Sequence, residues 1–407
     1  MTSIPRSNYS FTEQGRIHNV HPERLSEAAG IDTNQDGALQ DDEIAAYLER
    51  TDSMHDHEGH TIDRDRVLTE FKFHLRKEIN PEVAGYPSYE EVAADLSRLE
   101  RTYPNLAERV SLGKTHEGRD IWALKISKGA RCEDTKSRTG IVLTGCHHAR
   151  EWMSVQPPLK VAHELLEGYA TNADMKRRVD NAEIWVVPVV NPDGYEYSRS
   201  EDSWWRKNRQ PVVQDACGEA TDAIGTDLNR NYASPDPQHA TLYRPEGDTP
   251  CSTSDDFGWA TSDYPHSDTF RGRTPASEPE VQAMLNLELN RGNIKGVIDH
   301  HGYGEMVLHP WGHTEEPAPG HERLVEVGNR MNRAIGENEP FRVMASSELY
   351  PTSGTSDDIL YAHGIFNYTL EIGRSFQPPV SQIGPISESV ARANMVFIDE
   401  VLAHGGA

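Results

Sequence analysis

The stretch "GIVLTGCHHAREW", residues 140–152, passes from seven small or apolar residues straight into two histidines, an arginine and a glutamate. Its first half is strand-sized and apolar on both faces, which marks a strand with no side toward water. The same character recurs at "IWALKIS" (121–127), "IWVVPVV" (184–190), "GVID" (296–299), "MVLHP" (306–310) and "NYTLEI" (367–372). Amphipathic helices are predicted between several of these strands, at about 155–169, 278–291, 320–336 and 386–403. Doubly apolar strands separated by helices imply an α/β fold with a mixed, mostly parallel sheet covered by helices on both faces. In such sheets functional groups collect beyond the carboxyl ends of strands. Three places fit: "HHARE" after "GIVLTG", "HHGYG" after "GVID", and Glu371 at the end of "NYTLEI".

Composition narrows the partners. The chain has 407 residues, enough for a large core and two or three domains, and a formal net charge of −25. With no basic run, nucleic acid and anionic membrane surfaces are excluded as expected partners. Apolar stretches are strand-sized, so no membrane span is expected. The opening "MTSIPRSNYSFTEQ" is polar and lacks the pattern of a secretory leader. A mature secreted or exported chain is the favoured expectation, with a cytoplasmic one as the alternative. Four cysteines do not make a disulfide scaffold; Cys217 and Cys251, flanking a polar loop, form the favoured single pair, and four free thiols are the alternative.

Near residue 80 the composition changes. Residues 1–80 read as a small helical module, "INPEVAGYP" (79–87) supplies a linker over 81–87, and the α/β pattern occupies 88–407. Ser88 and Glu91 form a predicted capping box, followed by Val92, Leu96 and Leu99 at helical spacing until Pro104.

A His-x-x-Glu pair with a third ligand from a distant strand leaves a zinc ion one open position for water, the catalytic arrangement. Spacing does not choose within the first pair: His147 to Glu151 is i,i+4 and His148 to Glu151 is i,i+3. The wider context is more specific. "HAREW" (148–152), "WRKNR" (205–209), "TDLNRNY" (226–232), "HGYG" (301–304), "LYPTSGTSDD" (349–358) and "TLEIG" (369–373) occur in this order. Together they resemble the zinc metallocarboxypeptidases, carboxypeptidase A/B branch, from about Tyr86 to the C-terminus. The resemblance implies His148, Glu151 and His301 as ligands of one zinc, with His147 and His300 as orienting or packing neighbours.

It also implies the rest of a peptidase site, acting on a peptide or protein with a free C-terminus. Asn229 and Arg230 would bind the terminal carboxylate and Tyr350 would close over it. Arg209 would stabilise the oxyanion, and Glu371 would be the general base. Arg150, Arg206 and Tyr303 would bind more of the peptide, and Asp227 would hold the imidazole of His148. Asp357 falls at the base of the specificity pocket, where an acid favours C-terminal Lys or Arg. Ile359 stands where the family usually has Trp, Thr355 where Gly is usual, and Thr352 where Ala is frequent. Two other readings keep part of this pattern: a zinc carboxypeptidase for bacterial cell-wall peptides, and a calcium-dependent binding pseudoenzyme. The intact residue set argues against the last. The enzyme is expected to be a monomer.

The N-terminal module carries its own motif. "DTNQDGALQDDE" (32–43) fits a 12-residue EF-hand loop, with Asp32, Asn34 and Asp36 at positions 1, 3 and 5. Gly37 makes the turn, the Ala38 carbonyl and Gln40 follow, and Glu43 chelates at position 12. One Ca2+ is expected there. A second loop at 52–65 is off by one in spacing and reads as a degenerate partner.

Overall fold

Eight strands form one sheet, and the four at its centre run parallel. The computed structural model describes residues 85–407 apart from 213, 215–217, 247–259 and 337–340, together with residues 10, 11, 31, 38, 39 and 46. The strands are β1 (Ala107–Lys114), β2 (Asp120–Ile126), β3 (Thr139–Gly145), β4 (Ala182–Val187), β5 (Ile294–His301), β6 (Met306–His309), β7 (Arg342–Ala345) and β8 (Phe366–Glu371). Their order is β1-β2-β4-β3-β5-β8-β6-β7. β4, β3, β5 and β8 are mutually parallel, while β1, β2 and β6 pair antiparallel to their inner neighbours and β7 is parallel to β6.

The helices are α1 (Tyr89–Thr102), α2 (Gln156–Gly168), α3 (Ala173–Asn181), α4 (Pro192–Ser200), α5 (Pro279–Glu288), α6 (His321–Ile335), α7 (Ser346–Leu349), α8 (Ser356–Ala362) and α9 (Val380–His404). Helices cover both faces of the sheet. Val142, Trp185, Val187 and Val297 pack with Val281, Met284 and Leu287 of α5 and with Ile359 and Leu360 of α8. On the opposite face, Gly296 lies so close to α9 that a Cβ there would meet Val401 and Phe397.

Local sequence explains most boundaries. The Ser88–Glu91 capping box forms in both directions, Glu91 N–H to Ser88 Oγ at 3.2 Å and Ser88 N–H to Glu91 Oε2 at 2.7 Å. β4 ends before Pro188, which has no N–H to donate. α9 begins at Val380, earlier than predicted, and runs through Pro385, which has no N–H for the carbonyl of the exposed residue Ser381. Two strands, β1 and β7, were not expected. They are the two edges of the sheet, only partly buried, so neither carries an apolar run.

The chain divides into two compact units, Met1–Gly85 and Tyr86–Ala407. In the first, Ser10–Phe11 pairs in parallel with Ala38–Leu39. The expected calcium residues Asp32, Asn34, Asp36, Gln40 and Glu43 lie outside the described residues, as do Cys217 and Cys251. Cys132 and Cys146 are free thiols. Among the described residues no helix is long and apolar enough to cross a membrane.

Candidate active site

The parallel centre of the sheet brings three strand ends together. Gly145 lies opposite His300, and Glu371 opposite His301, so the segment after β3, the end of β5 and the end of β8 meet at one place. The chain leaves β3 through Cys146, whose φ of 57° is unusual for a residue with a side chain and turns the chain sharply at the strand's end. A turn closed by Glu151 N–H to the His148 carbonyl then sets these two side chains beside each other.

His148, Glu151 and His301, all buried, form a cluster of converging donors. His148 Nδ1 is 2.8 Å from Glu151 Oε1, His301 Nδ1 is 3.0 Å from Glu151 Oε2, and the two Nδ1 atoms are 3.0 Å apart. Tetrahedral zinc with bonds of about 2.0–2.1 Å needs ligand spacings of about 3.3 Å, so this donor set fits the ion after a small expansion. Both other ring nitrogens donate to carboxylates: His148 Nε2 to Asp227 Oδ1 at 3.0 Å and His301 Nε2 to Asp299 Oδ2 at 2.9 Å. Such bonds fix each imidazole with Nδ1 as the free lone pair. Burial works against ionisation of Asp227 and Asp299, yet the adjacent Arg206 and His148, and His147 and His301, hold both carboxyls well below the usual range.

His147 is turned away from the cluster. Its Nδ1 meets Asp299 Oδ1 at 2.9 Å and its Nε2 meets the Tyr232 hydroxyl at 2.8 Å. His300 lies behind the sheet, bonded to the Thr144 carbonyl and Asn394, and burial pushes its pKa down to about 4. Asp299 was missed in the sequence. Its signal was there, because residues two apart on a strand share a face and Asp299 stands two before His301.

A cavity of about 240 Å³ opens over the cluster and is lined by His148, Arg150, Glu151, Arg206, Asn229, Arg230, His301, Tyr303, Tyr350, Asp357 and Glu371, with Met306, Leu308, Leu349 and Phe376 as apolar wall. Asp227 caps the single turn Leu228–Arg230 by accepting from Asn229 N–H at 3.0 Å, which sets Asn229 and Arg230 on the cavity wall. Tyr303 and Tyr350, 48% and 42% exposed, stand at the surface. Burial, with the Glu151 carboxylate nearby, pushes Glu371 up to about 7, while His301 and Arg206 pull the other way. Asp357 is pushed up to about 6 by burial and by Asp358, and it accepts from Ser346 Oγ at 2.8 Å.

One expected residue is elsewhere. Arg209 does not line the cavity; its guanidinium stacks 3.6 Å from the Tyr197 ring centre and 4.6 Å from that of Trp205. Arg206, three residues earlier, faces the cavity instead. Its Nε donates to Asp227 Oδ2 at 2.9 Å and its Nη1 is 3.9 Å from Glu151 Oε1. Counting along "WRKNR" did not separate the two arginines, because the segment is not a helix or strand with a fixed period. Arg150 lines the cavity rim with its guanidinium 4.6 Å from the Phe376 ring and 3.1 Å from Asp268.

The chain is similar to known proteins. The family model described as "Zinc carboxypeptidase" matches residues 92–393. Carboxypeptidase A4 of Mus musculus is 30% identical over 328 residues, covering 79% of this chain and 71% of that protein. A zinc carboxypeptidase of Saccharothrix mutabilis subsp. capreolus is 33% identical over 296 residues, 71% of this chain and 62% of the relative. Among solved structures, the carboxypeptidase A from Helicoverpa armigera superposes with a TM-score of 0.66 at 26% identity, over 78% of this chain and 74% of the other.

Proposed function

This chain belongs to the zinc carboxypeptidase family, and from that membership we propose how its site removes the last residue of a peptide and which residue it prefers. His148, Glu151 and His301 would hold the zinc, which when bound would supply Lewis-acid chemistry that makes a water more acidic.

The remaining steps belong to the protein. Arg230, a planar donor fork beside Asn229, takes the substrate's terminal carboxylate, and Tyr350 folds over it from the surface. That anchoring sets the last peptide bond over the cluster, so register along the peptide comes from the free C-terminus. Glu371, on the cavity wall beside the ligands, removes a proton from the attacking water and returns it to the leaving amine. Arg206 stabilises the oxyanion, held rigid by Asp227 so that little reorganisation is needed when charge develops. Arg150 and Tyr303 contact residues upstream of the scissile bond.

The observation that carries this reading is the meeting of two imidazole Nδ1 atoms and one carboxylate within 3.0 Å, in a cavity shared with Glu371 and Arg230. Asp357 supports a preference for terminal Lys or Arg, because a buried acid with few compensating charges gains from a cationic side chain. The test compares hydrolysis of peptides differing only in the last residue. Faster release of Lys and Arg is expected, with the gain lost in Asp357→Ala. A wide preference for Phe in the wild type overturns the pocket assignment.

Residues 1–80 are proposed as a separate calcium-binding module, supported by the loop spacing at 32–43. Ca2+ is expected to raise the melting temperature of the full chain, and Glu43→Gln to abolish the effect; equal melting with and without the ion would remove the proposal.

A further inference from the structure

A second group of metal-type donors lies outside the cleft. His116, in the turn between β1 and β2, and Glu278 and Glu280, at the start of α5, bring one donor atom each within 4.8 Å of one another. None of the three lines the catalytic cavity. Glu278 is the N-cap of α5 and Glu280 its second residue, with Pro279 between them. Both carboxylates are buried, whereas the His116 side chain is about a third exposed, at 31%.

Their charges do not balance. His116 Nε2 is 3.8 Å from Glu278 Oε2, which sets one cation at most against two buried carboxylates. The helix terminus favours negative charge, an effect of about 0.3–1 kcal/mol and up to about 2 kcal/mol when partly buried. Burying an ion costs several kcal/mol, so the dipole does not offset the second carboxylate. Neutral donors reach only some of the oxygens. Asn208 Nδ2 donates to Glu278 Oε2 at 2.7 Å and to Glu280 Oε2 at 3.2 Å, and Ser277 Oγ donates to Glu278 Oε1 at 2.7 Å. Glu280 Oε1, wholly buried, has no hydrogen-bond partner among the described residues. The Gln210 amide lies 2.9 Å from His116 Nε2 and 2.8 Å from Glu278 Oε1. With its nitrogen turned toward them, the amide donates to His116 Nε2 and to both Glu278 oxygens, so Glu278 is served by neutral donors while Glu280 Oε1 is not.

We propose that His116, Glu278 and Glu280 form a second divalent-cation site, of the imidazole–carboxylate type that takes Zn2+ or Mn2+. The ion satisfies the orphaned Glu280 oxygen and neutralises the second carboxylate at once. A proton on Glu280, whose carboxyl burial and Glu278 push up to about 7, removes the charge but supplies no partner for Oε1. An occupied site ties together the β1–β2 turn, the start of α5 and residues 208–210. The last of these is the segment that carries Arg206 into the cleft, so the ion acts as a brace behind the catalytic wall.

The test is a metal count on the full chain, stripped with chelator and dialysed against buffered Zn2+, then repeated with Mn2+. Wild type is expected to keep two zinc ions, and His148→Ala one, at the second site. His116→Ala and Glu280→Gln are each expected to keep one, at the catalytic site. In the His148→Ala background, Zn2+ or Mn2+ raises the melting temperature, and adding His116→Ala removes that rise. His116 is the most exposed of the three, so its replacement tests the site even if Glu280→Gln fails to fold. Retention of no metal by His148→Ala, or a second equivalent indifferent to His116→Ala, overturns the proposal.

Discussion

Glu371 ends an apolar strand beside three potential zinc ligands, and its role separates from theirs by substitution. Glu371→Gln preserves shape and removes the base. It is expected to retain zinc by metal analysis while losing about 10²–10⁴-fold in turnover. Near-normal turnover would assign the base elsewhere. The two arginines of "WRKNR" make a second pair. Arg206→Ala is expected to lower kcat by about 10²–10³-fold, the cost of one oxyanion donor. Arg209→Ala, outside the cavity against Tyr197 and Trp205, is expected to leave kcat nearly unchanged; the reverse order would restore Arg209 to the site. Asp357 supplies a pH signature. Its carboxyl is pushed up to about 6, so it is ionised above that pH and neutral below it. The ratio of Lys-terminal to Leu-terminal hydrolysis should therefore fall as pH drops through about 6, whereas titration of Glu371 and the ligands affects both substrates and cancels in the ratio. A ratio flat from pH 5 to 8 would remove Asp357 from the pocket. Residue types were readable here, since His148, Glu151, His301, Asn229, Arg230 and Glu371 all reach one cavity. Orientation was legible in part: spacing left His147 and His148 open, the resemblance chose His148 and His301, and only the choice between Arg206 and Arg209, in a segment without a period, fell the wrong way.

At the level of elements, the site exists because β3, β5 and β8 are parallel neighbours that end together. Gly145, the last residue of β3, lets the chain pass against the carbonyls of Ser154 and Pro188, where a Cβ would strike the first. Gly145→Ala is expected to cost about 1–3 kcal/mol as the backbone shifts. Because the shift falls on the segment that presents His148 and Glu151, zinc affinity should drop together with melting temperature. A stability loss with unchanged zinc affinity would show that the segment is held by its other contacts. The six central and near-central strands were legible as apolar runs because both their faces are covered. β1 and β7 were not, because an edge strand half open to water carries an ordinary surface composition. The short helices α3, α4, α7 and α8 were likewise too brief for a helical period to stand out.

At the scale of the molecule, the donors His148, Glu151 and His301, with Arg230 and Glu371, line a single cavity in the unit Tyr86–Ala407, the proposed metal site, anchor and base. With those roles, hydrolysis is expected to depend on both a metal and a free chain end. An endopeptidase with the same zinc chemistry would need no carboxylate-binding arginine beside the ligands. The decisive measurement is mass spectrometry of a Lys-terminated peptide and its C-terminal amide after incubation with the full chain, each with and without a zinc chelator. The free acid should lose its terminal residue, with chelator abolishing the loss, and the amide should survive intact. Internal cleavage, equal hydrolysis of the amide, or turnover indifferent to the chelator would contradict a zinc carboxypeptidase anchored through Asn229 and Arg230.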